Sequence, residues 1–95
     1  MSTVTAYWSQ PRTANGSFVY TIGGFPPGAV TPNSIVTAQI SELTNSGTSN
    51  DVPFIGDAVM RVDNIAPAQD NVVMRVEIDW ASPLLFEINL LVSNG

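Results

Sequence analysis

Val72-Val73-Met74-Arg75-Val76-Glu77-Ile78-Asp79-Trp80 alternates without a break. Val72, Met74, Val76, Ile78 and Trp80 fall on one side at period two, and Val73, Arg75, Glu77 and Asp79 on the other. Side chains of a strand point alternately to its two faces, so this period makes a strand with one apolar face. A helix would scatter the charges around its cylinder. Leu84, Phe86, Ile88, Leu90 and Val92 form a second apolar series of the same kind. The two stretches are read as the centre of the core, Trp80 included.

The first stretch has a near-copy. Ala58-Val59-Met60-Arg61-Val62-Asp63 resembles Val72-Val73-Met74-Arg75-Val76-Glu77, and together they hold two of the three basic residues. The spacing fits two matching strands better than two binding sites. Suppose they pair as antiparallel neighbours, with Arg61 opposite Glu77 and Asp63 opposite Arg75. Two opposite-charge pairs then form, each worth roughly 0.2–1 kcal/mol. Val62 meets Val76 and Met60 meets Ile78 on the inner face. A slipped register sets like charges together, so the charges help to select the pairing. Both arginines are then used within the sheet, which leaves Arg12 as the basic group free for a partner.

Strand signals continue outward from this pair. Phe18 to Ile22 and Ser34 to Leu43 are rich in β-branched residues, and Thr3 to Trp8 is a weaker candidate. Turn-forming stretches separate them: Asn15-Gly16, Gly23 to Gly28, the polar run Thr44 to Asp51, Ile65 to Asp70 with Pro67, and Ala81-Ser82-Pro83. The reading is an all-β chain with one domain over residues 1–95 and about six to seven strands. Its architecture is a small antiparallel β-sandwich, immunoglobulin-like or jelly-roll-like.

Composition excludes many functions. The chain has 95 residues, no cysteine, no histidine and no lysine. Serine–histidine, cysteine–histidine and serine–lysine nucleophile systems therefore have no atoms to work with. A zinc site of the usual Cys or His type cannot form. A net charge of -5 repels phosphate backbones and anionic lipid, so nucleic acid and membrane surfaces are not expected partners. No apolar run approaches the roughly 18 residues of a membrane span. A signal-peptide pattern is not legible at the first residues, so a cytoplasmic location stays open. The balance of few charges with many small polar residues is that of extracellular, virion and cell-surface β proteins.

Three groups of candidate residues remain. Glu77, Asp79 and Glu87 are the carboxylates that a calcium ion would use. If the last two strands form a hairpin, Glu77 faces Glu87, and a cation, another register or separate sheets would relieve that conflict. The same acids are the only candidates for a glycosidase pair, and an enzyme is not expected. Tyr7 and Trp8, with Arg12 and Asn15 nearby, form the candidate ligand site, since sugar sites on β scaffolds set an exposed ring beside polar groups. Tyr7 and Trp8 must face opposite sides of a strand, so at most one joins the core. Asn15-Gly16-Ser17 also fits the N-glycosylation pattern. Val59, Val73, Leu85 and Leu91 are apolar residues on the outward side of their strands. If the sheets align they make one apolar patch, the mark of a partner surface. The function expected is a non-catalytic, self-assembling structural or adhesion-type module, a homo-oligomer without a cofactor. A small glycan-binding lectin, with or without calcium, is the alternative.

Overall fold

The two strands that dominate the sequence lie in different sheets. The computed structural model describes residues 3–45 and 51–94 and is all-β, with two antiparallel sheets and eight strands. The strands are β1 (Thr3–Trp8), β2 (Arg12–Ala14), β3 (Gly16–Ile22), β4 (Ile35–Leu43), β5 (Pro53–Phe54), β6 (Val59–Ala68), β7 (Asn71–Asp79) and β8 (Leu84–Asn94). The first sheet has the order β1-β8-β4-β5, with β2 also paired to β8. The second has the order β3-β7-β6. This arrangement is consistent with a small β-sandwich, and two of its strands were not expected. At three and two residues, β2 and β5 are too short to show a period.

Period two decides what is buried. Val72, Met74, Val76 and Ile78 of β7 share one core cluster with Phe86, Ile88, Leu90 and Val92 of β8. The inner faces of the two sheets therefore meet, and Phe86 bridges them. Its ring centroid lies 6.0 Å from those of both Phe18 and Tyr20 on β3. Trp80 departs from the expectation and is 43% exposed. The strand ends at Asp79, so the alternation that would have turned Trp80 inward stops one residue short. Beyond it, residues 80–83 cross from one sheet to the other. β7 and β8 are not a hairpin, and Glu77 does not oppose Glu87.

The register of the near-copy is as the charges require, with one shift. Arg61 opposes Glu77, Val62 opposes Val76 and Met60 opposes Ile78. A bulge between Val62 and Asn64 then sets Asn64, not Asp63, opposite Arg75. The bulge turns Asp63 back to the Arg61 side chain. Arg61 Nε donates to Asp63 Oδ1 and Nη2 donates to Glu77 Oε2, each at 2.8 Å. One guanidinium thus serves both acids, and Arg75 makes no ion pair among the described residues. The strand also runs on through Pro67 to Ala68, past the turn expected at Ile65. As an edge strand it has no hydrogen-bonded neighbour on one side among the described residues, so a residue lacking an N–H is tolerated.

Three local devices close the structure. Asn15-Gly16 is not a hairpin turn; it is where the chain leaves β2 in one sheet for β3 in the other. Gly16 has φ +81°, a conformation that suits glycine. Asp70, at the tip between β6 and β7, has φ 65°. Its Oδ1 accepts from Gly28 N at 2.9 Å, and its own N–H donates to Val30 O at 2.9 Å. These bonds hold the loop that seats Val30, fully buried, in the core. Ser9 fills the break between β1 and β2. Its N–H donates to Ile88 O at 2.8 Å, and its Oγ accepts from Ile88 N at 3.0 Å. Of the polar run Thr44 to Asp51, residues 46–50 lie outside the described residues.

Candidate functional site

The outer face of the first sheet is built in cross-strand rows. β8 runs down the middle, β1 pairs one side of it and β4 the other. Val4, Ser93 and Ile35 form the first row, Ala6, Leu91 and Thr37 the second, and Trp8, Asn89 and Gln39 the third. Their neighbours one residue along point to the core, so these side chains point to solvent. Trp8 is 70% exposed, Ile35 69%, Val4 61% and Leu91 51%. Four large apolar groups are thus exposed together on this face, while Val19 and Val59 are exposed on the other sheet. Glu87 is the one charged residue facing out from β1, β4 and β8 among the described residues.

A depression of about 390 Å³ lies over the second and third rows, lined by Ala6, Trp8, Thr37, Gln39, Asn89 and Leu91 among others. Trp8 walls it from β1 and Gln39 from β4. Asn89 Oδ1 is buried there and has no hydrogen-bond partner among the described residues. A buried acceptor left unpaired is costly. The depression offers one large ring, two carboxamides and no charge.

The sequence candidates are distributed unevenly around this face. Of the proposed ligand group, only Trp8 is on it. Tyr7 points inward, half-buried, its ring edge-on to Phe25 with centroids 4.9 Å apart. Arg12 lies exposed on β2 with Phe86 as its register partner, on the core side of the strand. Asn15 sits at the crossing between sheets, its Nδ2 donating to Trp80 O at 3.1 Å. Gln39 and Asn89 complete the depression, and nothing local in the sequence ties them to Trp8. Only the pairing of three distant strands does.

The interface group divides as well. Leu91 is central to the face, and Leu85 lies further along the same strand, half-buried. Val59 and Val73 are on the outer face of the second sheet, on the opposite side of the molecule. The single patch expected from alignment does not form, because β7 and β8 are in different sheets. The metal group separates for the same reason. Glu77 and Asp79 face outward from the second sheet and Glu87 from the first. Glu77 is instead engaged by Arg61. No group of three acidic, histidine or cysteine side chains suited to a metal occurs among the described residues.

No known protein-family model matches this sequence, and no curated protein matches it.

Proposed function

We propose that the protein is a non-catalytic association module, a homo-oligomeric structural or adhesion-type β protein whose contact surface is the outer face of β1, β8 and β4. The observation that carries this reading is the exposure of Val4, Trp8, Ile35 and Leu91 on a face with a single carboxylate. Copies of a chain with net charge -5 repel one another over most of their surface. They meet at less cost where charge is sparse and large apolar groups are exposed together. A two-fold contact sets the same patch against itself, which a patch with one carboxylate at its margin permits better than a highly charged one. A surface location fits the same composition.

Light scattering over a concentration series tests the reading. The expected result is a mass above that of the 10.1 kDa chain, reduced by Leu91→Glu. A strict monomer at the highest concentration would end it.

A second reading rests on a different observation, the Trp8 ring beside the carboxamide side chains of Gln39 and Asn89 in one depression. A ring with amide donors and acceptors and no charge suits a neutral sugar, whose apolar face stacks and whose hydroxyls bond. The module then binds glycans through this depression, without calcium from Glu77, Asp79 and Glu87. A glycan array decides it: signal abolished by Trp8→Ala supports the reading, and silence with the native chain removes it.

A further inference from the structure

The second sheet ends in two unlike edges. β6 is guarded by its bulge at Asp63, by the Arg61–Asp63 pair and by Pro67, and β4 packs alongside it. Natural sheets use these devices to keep edges from pairing with another chain. β3 has none of them. Its residues Gly16-Ser17-Phe18-Val19-Tyr20-Thr21-Ile22 include no charge and no proline. β7 pairs one side of β3. Among the described residues, no backbone group of β3 bonds outside that ladder. An unpaired row of N–H and C=O groups roughly 20 Å long is left on the other side.

We propose that this edge binds β3 of a second copy, antiparallel, about a two-fold axis at Val19. The sequence is self-complementary about that residue. Val19 meets Val19 of the second copy. Phe18 meets Tyr20 of the other chain on the inner face, and Ser17 meets Thr21 on the outer face. Aromatic and β-branched cross-strand pairs of this kind stabilise a sheet. The charges stay one strand away, since Arg75 is the register partner of Val19 and Glu77 that of Ser17. No like charges are directly opposed, and the joined sheet has the order β6-β7-β3-β3-β7-β6. This interface is additional to the outer face of the first sheet and does not rest on it. Two different two-fold contacts on one chain carry assembly beyond a dimer, to a closed dihedral tetramer or to an open array.

Charge at position 19 tests the register. Val19 is 58% exposed, so a polar side chain there leaves the core intact. Val19→Glu gains Arg75 across the strand within one chain but opposes its own copy across the axis. Val19→Lys opposes its own copy likewise. In a Leu91→Glu background, which removes the contact through the first sheet, each variant should dimerise at least tenfold more weakly than the Leu91→Glu chain, with Asn45→Asp as the control for added negative charge. The Val19→Glu and Val19→Lys chains mixed in equal amounts should associate again, because opposite charges then meet at the axis. Circular dichroism checks that both fold. Unchanged association of Val19→Glu, or a mixture that stays monomeric, overturns the proposal. If Leu91→Glu abolishes association while Val19→Glu does not, the face is the contact and the edge is not. The reverse result keeps the edge and removes the face.

Discussion

The two outer faces of this molecule follow one alternating pattern and use it differently. The face of β3, β7 and β6 carries Arg61, Arg75, Glu77 and Asp79, with Asp63 turned in by the bulge. The face of β1, β8 and β4 carries Glu87 and otherwise neutral side chains. On the charged face, the Arg61–Glu77 pair adds to a register that the buried Val72, Met74, Val76 and Ile78 also favour. On the neutral face, register is set from beneath, by Phe86, Ile88, Leu90 and Val92. The difference teaches that one alternating pattern can present either a charged or a nearly neutral surface to solvent. The face of the first sheet leaves large apolar groups in water beside a single carboxylate, and that of the second pairs Arg61 with its own acids.

The first way to break the comparison is to remove the layer both faces share. Ile88→Ala deletes a fully buried side chain and should cost about 2–5 kcal/mol. Urea unfolding should show one transition in which both sheets are lost together. Two transitions would mean that the faces belong to separately stable units.

Next, each face has its own pinning device. Ser9→Ala removes the acceptor for the buried Ile88 N–H and should cost roughly 1–3 kcal/mol, read as a lower urea midpoint. Arg61→Ala removes both ion pairs of the charged face. Its guanidinium is half in water, with 55% of the side chain exposed, so the loss should be about 1 kcal/mol or less. That loss should shrink in high salt, while the Ser9 effect should not. Equal salt dependence would erase the distinction drawn here.

Smaller still are changes that leave stability alone. Leu91→Glu should move the unfolding free energy by no more than about 0.5 kcal/mol while lowering the solution mass. Calcium and then chelator should leave the melting temperature where it was, because the three candidate acids point to opposite sides. A ligand that binds only the folded state must raise it.

Much of this was legible in the sequence, and the reason is physical. Period two names the buried residues of β7 and β8 directly, since burial and face are the same choice in a strand. The Arg61–Glu77 register follows from opposed charges. The Asp63 bulge does not, because either position of that acid satisfies an arginine. β6 runs through Pro67 only because it is an edge, and edges are a property of the sheet order. Trp8 facing outward follows from Tyr7 facing in. Its companions Gln39 and Asn89 are 31 and 81 residues away (39 less 8, and 89 less 8) and carry no local mark. The candidate site exists only once β1, β8 and β4 are laid side by side.

The pairing of Thr3 with Asn94 has a mechanical consequence. A tension applied between these two positions loads the β1–β8 ladder one pair at a time, as a zipper opens, instead of shearing all its bonds together. β1 peels first and takes Val4, Ala6 and Trp8 with it, while β8 stays clamped to β4. A module gripping a partner through that face would let go before its core gave way. Single-molecule pulling from residues 3 and 94 should show a small early extension ahead of the main rupture, and a single rupture would rule the sequence of events out.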